Sequence, residues 1–125
     1  KLGDIDIVFV PHRVLAHQTP ADCLMKSWLT EHFGLKKNGK PQNVGLIDDV
    51  QVEFYEATPE SWGSSILMWT GSMWNNIKLR KVAKAKGLKL SQHGLFDGST
   101  NLAAMKSERE IFDLLERKYL EPWER

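Results

Sequence analysis

Gly3-Asp4-Ile5-Asp6, near the beginning of the chain, is its most chemically suggestive stretch. Two carboxylates two positions apart on a strand project to one face. Carboxylate oxygens are the donors a hard cation such as Mg²⁺ prefers. Two such ions ~4 Å apart stabilise both the attacking and the leaving oxygen of a phosphoryl transfer. A glycine directly before the first carboxylate lets a triphosphate approach the backbone closely. A third carboxylate must come from a neighbouring strand. Glu53 is the candidate, because Gln51, Glu53 and Tyr55 share one face of Val50-Gln51-Val52-Glu53-Phe54-Tyr55. Three such groups repel one another unless a cation joins them. The structural alternative is a solvated strand end, and turn chemistry accounts for Asp48 and Asp49.

The elements that must position these groups follow from local patterning. Ile5 to Val10 is β-branched and apolar and is stopped by Pro11, which predicts a strand. Thr19 caps and Pro20 opens a helix that buries Leu24 and Trp28 and ends at Gly34. Residues 35–47 read as a loop with a weak strand, and Asp48-Asp49 turns the chain into the Val50–Tyr55 strand. Thr58-Pro59-Glu60 and Gly63 mark a linker. Ser64 to Trp69 suits helix or strand. A helix is expected from about Ser72 to Lys86, stopped by Gly87, then short strands at Leu88–Ser91 and His93–Phe96 and a turn at Asp97-Gly98. Ser107-Glu108-Arg109-Glu110 is a capping box. It opens a helix with Ile111, Phe112, Leu114, Leu115 and Tyr119 inward, ended by Pro122.

Composition narrows the function classes. The 125 residues carry 17 Lys and Arg against 16 Asp and Glu, a net charge of +1. That balance excludes a uniformly polybasic arm or an acidic tail. No apolar run approaches the ~20 residues of a membrane helix. Cys23 is the only cysteine, which excludes an internal disulfide and a Cys-based zinc site and points to an intracellular setting. His12, His17 and His32 lack metal-binding spacing. Residues 1–60 hold six basic and nine acidic residues, and residues 61–125 hold eleven and seven. The basic excess peaks at Lys78, Arg80, Lys81, Lys84, Lys86 and Lys89, with no acid between Lys78 and Lys89. An acidic half joined to a basic half suits a metal site with a polyanion as partner. Two ordinary solvated faces are the alternative. The chain opens on Lys1 with Asp4 following at once, and an N-terminal portion is expected upstream.

The second half carries a resemblance. Trp69-Thr70-Gly71-Ser72, Asn76, Arg80 and Lys86-Gly87-Leu88-Lys89-Leu90-Ser91-Gln92-His93-Gly94-Leu95-Phe96 are similar to the thumb of the family X DNA polymerases, the polymerase beta group. Ile111-Phe112-Asp113, Lys118-Tyr119 and Glu121-Pro122 resemble that family's C-terminus. Gly3-Asp4-Ile5-Asp6 then resembles its Gly-Asp-x-Asp strand, and Gln51-Val52-Glu53 its Gln-Val-Asp strand. The resemblance implies an α/β (α+β) chain: a partial nucleotidyltransferase palm over 1–60 with an antiparallel or mixed sheet, and a small α/β thumb over 61–125.

The resemblance also implies roles. Asp4, Asp6 and Glu53 would be catalytic and would hold two Mg²⁺ ions, for which Mn²⁺ could substitute. Glu53 would accept the proton of the primer 3′-hydroxyl. Gly3 would offer its backbone N–H to the phosphates. Trp69, Thr70, Gly71, Ser72 and Asn76 would bind the nucleotide, with Trp69 disfavouring a ribose. Arg80, Lys78, Lys81, Lys84 and His93 would bind DNA. The implied activity is templated addition of deoxynucleotides to a primer 3′ end in short gaps, as in DNA repair. The partners would be gapped or primer–template DNA and deoxynucleoside triphosphates, with no membrane and with the chain a monomer. An untemplated or other nucleotidyltransferase is one alternative, and an inactive, truncated DNA-binding relic is another. Departures from the family pattern are Glu53 for Asp, Gln51 where some members have Arg, Met68 for Tyr, and Met73 where a polar residue may touch the base. The upstream Gly-Ser…Arg motif and the lyase lobe are absent from this sequence, so no deoxyribose-phosphate lyase activity is expected.

Overall fold

Alternating Ile5, Ile7 and Phe9 form β1, Ile5–Phe9. The computed structural model describes residues 4–10, 31–32, 36–37, 40–41 and 44–125. Gly3 and the helix expected after Thr19, apart from the helical Glu31 and His32, lie outside the described residues. Short strands β2 (Lys36–Lys37) and β3 (Lys40–Pro41) pair antiparallel. Strands β4 (Val44–Ile47) and β5 (Val50–Glu56) form a hairpin. Its two-residue turn sets Asp48 and Asp49 at φ 51° and 64°. That doubly left-handed turn matches the twist of the strands it joins, and Asp is among the few non-glycine residues that tolerate it.

β5 is the centre of a mixed sheet in the order β1-β5-β4. It runs parallel to β1 and antiparallel to β4. Val52 and Phe54 are buried, with Phe9 packed against them. The register pairs Asp6 with Glu53, so the opposite face of β5 carries Gln51, Glu53 and Tyr55 beside Asp6.

The chain divides into two compact units, Lys1–Glu56 and Ala57–Arg125. In the second, α1 (Trp62–Thr70) and α2 (Met73–Ala85) precede an antiparallel sheet of β6 (Lys89–Ser91), β7 (Gly94–Asp97) and β8 (Thr100–Asn101). Helix α3 (Glu108–Leu114) follows, and Pro122–Glu124 forms a closing 3₁₀ turn. The core joins Leu67 and Met68 of α1, Leu79 and Ala83 of α2, Leu90 and Leu95 of the sheet, and Ile111, Phe112 and Leu115. Serines cap the helices that begin where the spacing predicts. Ser72 accepts from the Asn75 N–H, and Ser107 with Glu110 makes the expected capping box. Gly87, at φ 74°, terminates α2. Among the described residues no helix is long and apolar enough to cross a membrane.

Ser64 to Trp69, which suited helix or strand, is helix. Other details differ from the sequence reading. Gly63 is buried inside α1, not in a linker. Helix α3 stops at Leu114, earlier than Pro122, because Glu116 turns left-handed at φ 56°. Leu114 is therefore 39% exposed, whereas Tyr119 still packs on the core from beyond the helix. Strand β8 had no periodicity to announce it.

Asn101, on β8, is the hub of this sheet. Its Oδ1 accepts from the Leu95 and Ala103 N–H groups at 3.1 and 3.0 Å, and its Nδ2 donates to the His93 carbonyl at 3.3 Å. Leu95 and Ala103 are fully buried, so their N–H groups have no water to turn to. Asn101→Ala should destabilise the second unit by about 3 kcal/mol, measured by urea unfolding. An unchanged midpoint would show that the amide hub is dispensable.

Candidate active site and nucleic-acid interface

The first unit brings the predicted carboxylates to one sheet face. Asp4 precedes β1, Asp6 lies on it, and Glu53 sits opposite Asp6 on β5. Gln51 links them: its Nε2 donates to Asp4 Oδ2 at 3.3 Å and to Glu53 Oε1 at 3.0 Å. The Tyr55 hydroxyl donates to Glu53 Oε2. The Asp6 carboxyl is pushed above its ordinary range, first by desolvation and then by the negative charges of Glu53 and Asp4. Hydrogen bonding to Glu53, with desolvation and nearby negative charge, raises the Tyr55 hydroxyl too, so it stays a donor.

Three hard oxygen donors on one face suit Mg²⁺ in chemistry. Their present arrangement is not a finished cation cage. Among the described residues no three acidic, His or Cys side chains group closely enough to hold one ion. Both Glu53 oxygens are engaged by Gln51 and Tyr55. Glu53 would have to exchange these partners to join Asp4 and Asp6 around a metal.

The raised Asp6 pKa has a consequence for stability. A carboxyl whose folded pKa exceeds its unfolded value costs stability wherever it is ionised. The cost is present above the folded pKa and is gone below the unfolded one, 3.8. Asp6→Asn should therefore raise the melting temperature of the metal-free chain at neutral pH. The gain should fade as the pH falls through the carboxylate range. A gain of equal size at every pH would disprove this origin.

In the second unit, Thr70 ends α1, and Gly71 and Ser72 connect it to α2. The Gly71 N–H donates to the Leu67 carbonyl at 3.1 Å. A Cβ on Gly71 would lie 2.7 Å from Asn76 Oδ1. Asn76 Nδ2 donates to the Met68 carbonyl at 2.8 Å, while its Oδ1 is buried without a partner. Trp69 is half-buried on α1. Arg125 anchors this turn from the far end of the sequence. Its side chain is 0% exposed, and its Nη1 donates to Thr70 Oγ1 at 2.8 Å and to Glu108 Oε1 at 2.9 Å. Its Nε donates to the Leu120 carbonyl at 3.0 Å. No local pattern in the sequence singles out Arg125; only the fold brings it to Thr70.

The basic residues of α2 fall on two faces. Arg80 and Lys84 join Lys89, Leu88, Leu90 and Ser91 around a cavity of about 490 Å³. Lys78 and Lys81 line another. His93 is exposed, with its backbone N–H donating to Ser91 Oγ at 3.2 Å.

Comparison with known proteins now bears on this geometry. The DNA polymerase beta thumb family matches residues 65–125. The chain is 40% identical over 92 residues to DNA nucleotidylexotransferase of Xenopus laevis, across 72% of this chain and 17% of that protein. It is 32% identical over 117 residues to DNA-directed DNA/RNA polymerase mu of Homo sapiens, across 89% of this chain and 24% of that protein. Residues 65–125 belong to the DNA polymerase beta thumb family of the family X DNA polymerases.

Its fold matches that of Leishmania infantum polymerase beta, in a crystal structure of a ternary P/T complex. The TM-score is 0.73 at 19% identity, covering 97% of this chain and 60% of the other. The chain thus spans about a sixth to a quarter of the two curated relatives. Within this family X thumb, Arg125, Asn101 and the Glu60 carbonyl that receives the Met105 N–H at 3.1 Å are structural anchors that the motifs do not reveal.

Proposed function

We propose that the chain contributes to a DNA-directed DNA polymerase that adds deoxynucleotides to a primer 3′ end in short gaps during DNA repair. The observation that carries the proposal is the parallel register of β1 and β5, which sets Asp6 beside Glu53 and leaves Asp4 on the same face. Family membership supports it. Residues 1–60 would serve as a partial palm and residues 61–125 as the thumb.

Asp4 and Asp6 would hold two Mg²⁺ ions, or Mn²⁺ in their place, with Glu53 as the third ligand. When bound, such a pair neutralises charge at the attacking and leaving oxygens. Glu53 would take the proton of the primer 3′-hydroxyl. Gly3 would present its backbone N–H to the triphosphate. Trp69 to Ser72 would seat the sugar and Asn76 the base edge. Arg80, Lys78, Lys81, Lys84 and His93 would contact DNA, making affinity salt-dependent. The chain would act inside the cell as a monomer.

A second reading, untemplated transfer, draws on the 40% identity to the nucleotidylexotransferase. Primer extension on a duplex with a one-nucleotide gap, with Mg²⁺ and each deoxynucleotide in turn, separates the two. Incorporation of the complementary nucleotide alone supports the first reading. Incorporation of all four at similar rates supports the second. DNA binding without incorporation would defeat both for this chain and leave the inactive DNA-binding relic.

A further inference from the structure

The second basic face of α2, which carries Lys78 and Lys81, belongs to a cavity whose other cations, Arg117 and Lys118, the proposed function does not use. It has a volume of about 460 Å³. Its apolar wall comes from Leu79, Val82, Phe112 and Leu120, and its cations are Lys78, Lys81, Arg117 and Lys118. None of its lining residues is acidic. None of the four cations forms an ion pair with a described residue, although Lys86, Lys106, Arg109 and Arg125 all do. Asn75 also lines the cavity. It is 8% exposed, and its Nδ2 has no hydrogen-bond acceptor. Helical spacing explains the separation from the other basic face. Lys78 and Lys81 lie three residues apart on one side of α2, and Arg80 and Lys84 lie four apart on another.

An apolar wall with cations around it defines a narrow ligand chemistry. The cavity size suits one small ligand rather than an extended chain. The ligand needs a flat, largely apolar body to cover Leu79 and Val82, and concentrated negative charge for the cations. An acidic peptide offers the charge without the flat body. We propose that this cavity binds a nucleoside phosphate, with its base against the apolar wall and its phosphate held by Arg117, Lys118, Lys78 and Lys81. The ligand is either a free nucleotide or one unit of a single strand, since both present the same chemistry. The proposal shares Lys78 and Lys81 with the proposed DNA contacts and adds to them a pocket completed by Arg117 and Lys118, in which neither the carboxylates nor Arg80 takes part.

The test titrates the isotopically labelled full chain in EDTA, which silences metal-dependent nucleotide binding at the carboxylates. Thymidine 5′-monophosphate, a short oligothymidylate, inorganic phosphate and a hexaglutamate peptide are the probes. The backbone amides of 75–82 and 115–120 report binding. Shifts there with thymidine monophosphate and the oligomer support the site. Saturation by the oligomer alone assigns it to a strand, and by the monophosphate alone to a free nucleotide. The double substitution Arg117→Ser with Lys118→Ser should weaken the effective probe at least about tenfold. It should also lower the salt slope of the oligomer by about 1.4. Lys89→Ser with Lys106→Ser removes the same charge from residues that do not line this cavity and should leave these shifts in place. Equal shifts from phosphate or hexaglutamate, equal weakening by the control pair, or no shift at these amides would overturn the proposal.

Discussion

Asp6→Ala is expected to reduce templated nucleotide incorporation by at least about 10³-fold, the equivalent of ~4 kcal/mol of transition-state stabilisation. Asp6 sits directly beside Glu53 in the β1–β5 register, with Asp4 two positions before it. Its carboxyl is pushed up first by desolvation and then by the negative charges of Glu53 and Asp4. A cation is the natural relief for such crowding, and removing Asp6 takes away the shared donor. The same crowding separates loss of function from loss of fold. An ionised carboxylate under repulsion costs stability at neutral pH, so Asp6→Ala should melt no lower than the parent chain. Gapped-duplex extension paired with thermal unfolding reads both properties. Undiminished incorporation would sink the assignment of the catalytic face.

Gly63→Ala should lower the stability of the second unit by roughly 3 kcal/mol. In an ordinary helix interior this exchange is favourable by ~1 kcal/mol, because glycine is a poor helix former. Here a Cβ would stand 2.0 Å from the Lys106 carbonyl oxygen and 3.2 Å from the Ser107 carbonyl carbon. Both are backbone atoms and cannot rotate aside. The segment carrying them is held from two directions. Met105 adopts φ 62° and donates its N–H to the Glu60 carbonyl at 3.1 Å, and Ser107 caps α3. The N-terminal turn of α1 and the start of α3 must therefore separate to admit one methyl group. For a unit of this size the expected drop in melting temperature is roughly 10–20 °C. A melting temperature equal to or above the parent's would show that the close approach is not required.

The contrast between these two positions shows what was legible in the sequence. Asp4, Asp6 and Glu53 could be read because strand alternation has period two, so residues two apart must share a face. The helix start near Ser72, the capping box at Ser107 and the stop at Gly87 were equally visible, since each is decided within one helical turn. The ordered thumb motifs from Trp69 to Phe96 carried the family resemblance for the same reason: they are local strings.

Contacts between distant segments were not legible. Gly63 reads as a linker residue until the Lys106 carbonyl is placed above it. Nothing in the local sequence marks Asn101 until Leu95 and Ala103 point their N–H groups at its amide. Arg125 reads as a charged terminus until the fold buries it against Thr70, a residue 55 positions earlier. The division of the α2 basic residues between two cavities also depends on Phe112, Arg117 and Lys118 arriving from another part of the chain. Local sequence determined the elements, their caps and the face on which the carboxylates lie. Tertiary structure alone decided which polar groups found partners and which cations were left without them, because those outcomes depend on three-dimensional packing between residues far apart in the chain.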